Sequence, residues 1–243
     1  MHGRDLPGRV LLVCAHPDDE TIGASSLLTS GTNCFVLHVT NGSPANEYDA
    51  NRLGLNRVAY AEIRRRELIA AMAIAGIPEQ HLLSLGIPDQ EVIFRIHEVT
   101  ASLRSMAAEI APDRVYTHPY EGGHPDHDAV ALAVSLALPY KERWEFTSYH
   151  AGPDGMETGL FLQPSGGSEL AVHTLTQNQR QLKRAMIDCF ESQRETLRTF
   201  RIDEERFRRA PDYDFSQPPH PGKLFYENFA WGVRSGAEWR SQF

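Results

Sequence analysis

The sequence predicts a single α/β domain, residues 1–243, with a Rossmann-like, mostly parallel sheet and helices on both faces. First, strand-like and helix-like segments alternate over residues 1–150, which is typical of parallel β–α–β units. Second, with 41% apolar and 23% charged residues, a chain of 243 residues can bury one large core. Third, no internal repeat, low-complexity tract or clear break marks a second domain.

The predicted strands are short runs of apolar residues, and the predicted helices have apolar residues at helical spacing. The continuous apolar run over residues 10–14 predicts a buried strand, and residues 41–44 end the second strand as a turn. Gly76 and Pro78 stop the long second helical segment. The predicted strands are residues 10–14, 34–40, 82–85, 114–117 and 144–149, and the predicted helices are residues 20–30, 56–76, 91–109 and 128–138.

The last third of the chain is less regular. Residues 151–175 hold many Gly, Pro and Ser residues, which predicts loops or insertions. Residues 177–200 predict a helix, and its charged face continues to Arg209. From about residue 210 the chain is rich in proline and aromatic residues, which predicts a tail that wraps the body of the domain.

Charge and cysteine content narrow the class of protein. The net charge of −8 disfavours a nucleic-acid binder, which needs a basic surface. The sequence has no run of about 18 apolar residues, so it predicts no membrane span. Three widely spaced cysteines without a C-x-x-C motif favour a reducing compartment over a disulfide framework. We therefore predict a cytoplasmic protein, and apolar strand edges would allow a homo-oligomer.

One candidate site follows the first predicted strand directly. His16 is followed by Pro17 and then by the three acids Asp18, Asp19 and Glu20. Ligand sites in open α/β sheets form at the carboxyl ends of strands, which is where this segment lies. The acids would also suit the first turn of a helix, where the dipole favours them. Three adjacent acids exceed what capping needs, and their repulsion favours a bound cation.

A second segment of the same kind follows the strand over residues 114–117. Residues 117–128 contain three histidines, three acids and two glycines before the next helix, including His124, Asp126 and His127. Two His-Pro-Asp loops at two strand ends predict one mononuclear metal site. His16, Asp19 and one histidine of the second loop would supply three ligands and leave a position for water, as in catalytic zinc sites. Iron or cobalt would also suit such a nitrogen and oxygen donor set.

At these residues the sequence resembles the PIG-L/LmbE-like family of zinc-dependent N-deacetylases. The similar segments are AHPDDE at residues 15–20, VTNG at 39–42, R-x-x-E at 64–67, HPDH at 124–127, and a Lys183…Ser192-Gln193 pattern. The resemblance implies that His16, Asp19 and His127 bind the metal and that Asp18 is the general base. It also implies that His124 stabilises the oxyanion or acts as an acid, with Asp126 orienting it.

The resemblance further implies a substrate, which is an N-acetylglucosamine-type conjugate from which the acetyl group is removed. Arg64 matches a family position that contacts substrate, or it is a helix-surface arginine that pairs within the charged run of residues 64–67. Some members have a tyrosine where this chain has Gly122, and Tyr120 is the nearby candidate for the same role. Asn41 and Glu47 follow the second strand at the same sheet edge, where they would reach sugar hydroxyls or only cap turns.

Three alternatives remain open at this stage. The site could cleave another amide, as some family members do. It could hydrolyse a phosphoester, which usually requires two metals about 3.5–4 Å apart. The chain could also be a metal- or sugar-binding homologue without catalysis. Metal content and amine release distinguish these alternatives.

Overall fold

The computed structural model describes residues 8–162, 170–229 and 231–243. The strands are β1 (Arg9–Cys14), β2 (Asn33–Pro44), β3 (Leu82–Asp89), β4 (Arg114–Thr117), β5 (Glu142–Phe146), β6 (Tyr149–Gly152), β7 (Gly155–Thr158), β8 (Leu170–Thr174) and β9 (Glu204–Arg209). The α-helices are α1 (Asp19–Leu28), α2 (Tyr48–Arg52), α3 (Arg57–Ala75), α4 (Ile96–Ile110), α5 (Pro125–Ala137), α6 (Gln177–Asp188), α7 (Arg194–Leu197) and α8 (Gly236–Arg240). Short 3₁₀ helices lie at Glu79–His81, Ile93–Arg95, Glu191–Gln193 and Phe225–Asn228.

Seven strands form one sheet in the order β3-β2-β1-β4-β5-β9-β8, and β6 pairs with β7 in a separate hairpin. The five strands β1 to β5 run parallel, whereas β9 pairs antiparallel with both β5 and β8. The chain moves from β1 out to β3 and then returns to β4 beside β1. The strand order therefore reverses between β1 and β4, the place where open α/β sheets bind ligands.

Helices cover both faces of this sheet, which confirms the predicted fold class. Leu11 and Val13 of β1 pack on one face against α4, α5 and the C-terminal tail. Val10 and Leu12 point to the other face, where they pack with residues of α1, α3 and α6. No helix in the described part of the chain is long and apolar enough to cross a membrane.

The tail from about residue 210 lies against the face that carries α4 and α5. Phe215, Leu224, Tyr226 and Trp239 are buried there within the core cluster. The indole Nε1 of Trp239 donates a hydrogen bond of 3.0 Å to the carbonyl of Pro125. Because Pro125 begins α5, the tail braces the helix that follows the second candidate loop.

The structure differs from the sequence prediction in the last third. The helix predicted over residues 177–200 ends at Asp188, and its predicted charged continuation to Arg209 forms strand β9. That prediction is wrong because Glu205 and Arg208, which suggested a solvated face, are buried in ion pairs. The predicted turn at residues 41–44 belongs to β2. Part of the predicted loop 151–175, residues 163–169, lies outside the described residues, and the rest contains the β6–β7 hairpin and β8.

Glu205 of β9 is paired with a buried lysine and also binds the backbone at a break in helix α1. Ala24 has non-helical backbone angles (φ −144°, ψ 24°), so the amides after it need other acceptors. The Glu205 carboxylate accepts hydrogen bonds of 2.9 Å from the backbone N–H groups of Ser25 and Ser26. Lys183 Nζ lies 2.8 Å from the same carboxylate, and both side chains are almost fully buried. Glu205 of β9 therefore caps the second half of α1.

We expect Lys183→Met to lower the free energy of unfolding by about 3–5 kcal/mol, because it leaves the Glu205 carboxylate buried without its cation. Urea unfolding followed by circular dichroism measures the change. Arg198→Met is the control, since Arg198 and its partner Glu195 are both about 70% exposed and such pairs contribute little. Equal stability of the two variants would contradict the structural role of Lys183.

Candidate metal centre and substrate cleft

The two His-Pro-Asp loops meet at the carboxyl edge of β1 and β4. They border a cleft of about 520 Å³, within the usual size range of small-molecule sites. Its walls include the predicted metal-site and catalytic residues His16, Asp18, Asp19, His124 and His127. The topology brings these residues together because parallel strands end at the same edge of the sheet.

Three of these side chains form a triangle of potential metal ligands. The Nδ1 atom of His16 lies 3.2 Å from Nε2 of His127 and 3.5 Å from Oδ2 of Asp19. The Nε2 atom of His127 lies 3.2 Å from Oδ1 of Asp19. Ligands about 2.0–2.1 Å from a tetrahedral zinc ion stand roughly 3.3–3.4 Å apart. The donor types and spacing therefore fit a divalent cation.

His118 packs against His127 of this triangle. The sequence prediction had given His118 no role. Its ring stacks on His127 with centroids 4.0 Å apart, and its Nε2 atom accepts a 3.0 Å hydrogen bond from the Ala15 amide. Burial, and then the neighbouring His127, lower the pKa of His118 to about 4. This low pKa keeps the ring neutral. The Nε2 atom can then accept the hydrogen bond from Ala15 through its lone pair.

Asp126 contacts a different histidine from the one that the sequence analysis assigned to it. Its carboxylate accepts hydrogen bonds from the amides of Gln90 (2.6 Å) and Val92 (3.1 Å) and lies 3.3 Å from Nε2 of His16. Only its backbone N–H reaches His124, at Nδ1 (3.1 Å). The carboxylate therefore orients His16, because the amides that follow β3 hold it on that side.

Asp89 is a site residue that the sequence analysis missed. Its Oδ1 lies 2.9 Å from Nε2 of His16 and 3.7 Å from Nε2 of His124. Burial opposes ionisation, but the charges of His16 and His124 hold the pKa of Asp89 below its ordinary value. The sequence held one signal for Asp89, namely its position at the end of β3, the strand next to β2. This signal was missed because the predicted strand stopped at residue 85.

Arg64 and Asp18 face each other at the edge of the cleft. Arg64 is 2% exposed, and its Nη2 donates to Oδ2 of Asp18 (2.9 Å) and to the carbonyl of Pro17. Burial raises the pKa of Asp18 to about 7, against the opposing charge of Arg64. Gly42 makes room for this contact: with φ +67°, an added Cβ would lie 3.0 Å from Arg64 Nε and 3.1 Å from Pro17 Cδ.

Three predicted substrate-binding residues are not among those that line the cleft. Tyr120 is 3% exposed, and its hydroxyl donates a 2.9 Å hydrogen bond to the carbonyl of Gln217 in the tail. The Asn41 side chain accepts from the Ser43 amide, as a turn residue does. Glu47 precedes α2 in a left-handed conformation and is exposed.

Other residues take these places in the cleft wall, and the sequence analysis had not selected them. The loop and helix after β2 contribute Asn46, Tyr48, Asp49 and Arg52. An aromatic part of the wall comes from three distant parts of the chain, with Tyr149, Phe200, Phe229 and Trp231. Nothing in their local sequence placed them beside the two histidine motifs.

The fold and the site define an α/β protein with a candidate divalent-metal centre of the catalytic type, because three ligands face an open cleft. The sequence profile of the PIG-L family, described as GlcNAc-PI de-N-acetylase, matches residues 11–138. This match covers more than half of the chain and contains both histidine motifs. The chain belongs to the PIG-L family, which confirms the resemblance found in the sequence.

Two curated relatives are similar over their matched parts. The chain is 29% identical over 164 residues to a 1D-myo-inositol 2-acetamido-2-deoxy-alpha-D-glucopyranoside deacetylase of Kineococcus radiotolerans, covering 55% of this chain and 45% of the relative. It is 32% identical over 148 residues to a probable N-acetyl-alpha-D-glucosaminyl L-malate deacetylase 2 of Bacillus cereus, covering 58% and 66%. The chain thus matches about half to two thirds of the length of these relatives.

A solved structure supports the fold independently. The zinc-inhibited form of teicoplanin deacetylase Orf2 superimposes with a TM-score of 0.63 and 19% sequence identity, covering 84% of this chain and 100% of that chain. At this identity the likeness concerns the fold alone. The overall fold of this chain is therefore shared with that structure.

Proposed function

We propose that this protein is a zinc-dependent hydrolase that removes the acetyl group from an N-acetylglucosamine-type conjugate. The observation that carries the proposal is the triangle of His16, Asp19 and His127 beside a cleft that Asp18 and His124 also line. Membership of the PIG-L family and the names of the two curated relatives support the same reaction. Iron in place of zinc is compatible with the same donor set.

The residues that would hold the cation are His16, Asp19 and His127. When bound, a cation of this kind polarises the amide carbonyl and lowers the pKa of water from about 15.7 to about 7. Asp89 and Asp126 both face Nε2 of His16, so they would fix this ring and leave Nδ1 for the cation.

Asp18 is the proposed general base. It would accept a proton from the water as the water oxygen adds to the acetyl carbonyl. As the C–N bond breaks, Asp18 would return that proton to the amine nitrogen, and the products are the free amine and acetic acid. Arg64 holds the Asp18 carboxylate at the cleft through their 2.9 Å ion pair.

His124 is the proposed oxyanion donor. Its Nδ1 accepts the amide hydrogen of Asp126, so in the neutral ring the remaining proton is on Nε2. Asp89 lies 3.7 Å from this Nε2 and faces it. This tautomer favours oxyanion stabilisation by His124 over the acid role that the sequence left open.

Amine release from a panel of N-acetylglucosamine conjugates tests the proposal, with metal content measured and a chelated sample run alongside. We expect chelator-sensitive release with about one metal per chain. Cleavage of other amides only, or of phosphoesters with about two metals per chain, would replace it with the corresponding alternative. Bound metal without hydrolysis of any compound would indicate a binding protein.

Arg64 is also a proposed substrate contact. Its Nε and Nη1 are buried without a hydrogen-bond partner in the described part of the chain, although the side chain borders the cleft. We expect Arg64→Lys to lower kcat/KM by roughly tenfold to a hundredfold, the size of a lost bond to a charged group. Arg66→Lys, an exposed change on the same helix, is the control. Equal kcat/KM in both variants would contradict the assignment.

We also propose a cytoplasmic location and one domain over residues 1–243. The free state of Cys14, Cys34 and Cys189 supports the reducing compartment. A small amino-sugar conjugate is the proposed binding partner, and a homo-oligomer stays a prediction.

A further inference from the structure

The wall of the cleft contains two kinds of side chain. Polar and charged groups include Arg64, Asp49 and Gln193. Tyr149, Phe200, Phe229 and Trp231 are aromatic. The polar groups suit the hydroxyls of an amino sugar, which leaves the aromatic groups to contact a further, apolar part of the ligand.

Phe229 and Trp231 form an aromatic stack beside His124, the proposed oxyanion donor. Their rings stack with centroids 4.3 Å apart and an interplanar angle of 12°. The Trp231 ring lies 4.9 Å from the ring of His124. Phe229 borders the cleft and remains 42% exposed, so the stack ends in an accessible ring.

We propose that the Phe229–Trp231 stack binds the carrier of the amino sugar and that this carrier is a ring with an apolar face. This inference rests on the proposed deacetylation. Aromatic surfaces gain from stacking against flat partners, and a rigid ring loses less conformational freedom than a flexible chain. The carrier class is therefore a cyclic aglycone, either an aromatic ring or a saturated ring.

The test compares kcat/KM for methyl, cyclohexyl and phenyl glycosides of N-acetylglucosamine. We expect the wild type to prefer the ring glycosides over the methyl glycoside by roughly threefold to tenfold, the size of one aromatic contact. In Phe229→Ser this ratio should fall to about one, and Phe229→Tyr should keep it. Phe94→Ser is the matched control, because Phe94 is 49% exposed and is not among the cleft residues. Comparing the cyclohexyl glycoside with the phenyl glycoside shows whether the carrier ring is saturated or aromatic.

A ring preference that Phe229→Ser leaves unchanged would overturn the proposal. So would a dependence on Phe229 that follows the length of the N-acyl group, since the occupant would then be the acyl chain. If the wild type hydrolyses none of the glycosides, the proposed function fails. Binding of the same glycosides, measured by calorimetry, then shows separately whether the Phe229–Trp231 stack holds the carrier.

A different observation concerns the backbone of Asp18. Asp18 has a backbone φ of +127°, a conformation that residues other than glycine rarely adopt. Its N–H donates a 3.1 Å hydrogen bond to Oε2 of Glu20, and Nε2 of His38 lies 2.8 Å from the same oxygen. Glu20 and His38 are at most 1% exposed, and neither is among the residues that border the cleft.

We infer that Glu20, held by His38, is a positioning residue that keeps Asp18 in this conformation for the proposed reaction. Glu20→Leu should lower kcat by roughly tenfold or more with KM nearly unchanged, because the strained backbone of Asp18 loses the acceptor that holds it. Glu20→Gln should restore most of kcat, since its amide oxygen can accept the same bond. Melting temperature and metal content show whether the Leu variant is folded and loaded. Wild-type kcat in the Leu variant, or a Gln variant no better than Leu, would overturn the inference.

Discussion

Asp18→Asn is expected to lower the rate of amine release by roughly 10²- to 10⁴-fold, the contribution of a positioned general base. The amide keeps an oxygen that can accept from Arg64 Nη2, so the 2.9 Å contact that anchors this side chain can persist. It cannot accept a proton from water under the conditions of the reaction. The loss should therefore appear in kcat, measured by single-turnover amine release, with the metal content at the wild-type level.

Asp188→Asn provides the control for this substitution, because Asp188 is exposed at the end of α6 and is not among the residues of the cleft. It should match the wild type in rate, metal content and melting temperature. Near-normal deacetylation by Asp18→Asn would assign the base to another carboxylate. Asp89 would then be the first candidate, because it also borders the cleft.

The central part of the site could be predicted because it depends on local sequence and on one rule of topology. The motif at His16 follows β1 directly, and the motif at His127 follows β4 after a short loop. Parallel strands end at the same edge of the sheet. Their meeting therefore needs only the correct strand order, in which β1 and β4 are neighbours. Asp89 follows the same rule, but the sequence did not show that β3 continues past Gly86, which has a φ of +68°.

The substrate side of the cleft could not be predicted, because it depends on contacts between residues far apart in the chain. Tyr120 appeared suitable by its distance from His124 in sequence, yet its ring packs beside Phe215 and Trp239 of the tail. Trp231 contacts His124 across more than a hundred residues. Spacing within a motif does not say which way a side chain points once a distant segment packs on it.

The same limitation explains why the sequence predicted a helix where the structure has β9. Its alternating charges are compatible with a solvated helix when only neighbours in sequence are considered. Arg208 instead pairs with Glu145 of β5 at 2.6 Å and with Glu121 at 3.0 Å. These partners lie 63 and 87 positions away in the sequence. A buried strand with these charges is therefore favourable only once the sheet is assembled.

His127→Ala is expected to abolish tight metal binding and, with it, amine release. The substitution removes one of three ligand atoms that lie 3.2–3.5 Å apart, and the two that remain, on His16 and Asp19, make an incomplete site. Equilibrium dialysis with zinc measures the change: about one equivalent for the wild type and near none for the variant.

Stability gives an independent measurement of the same site. A ligand that binds only the folded state at a hundred times its Kd adds about 2.7 kcal/mol to the free energy of unfolding. Zinc should therefore raise the melting temperature of the wild type and of His97→Ala, a control at an exposed histidine, but not that of His127→Ala. Full zinc stabilisation of His127→Ala would place the metal elsewhere, and His16 with Asp89 and His124 would be the next group to test.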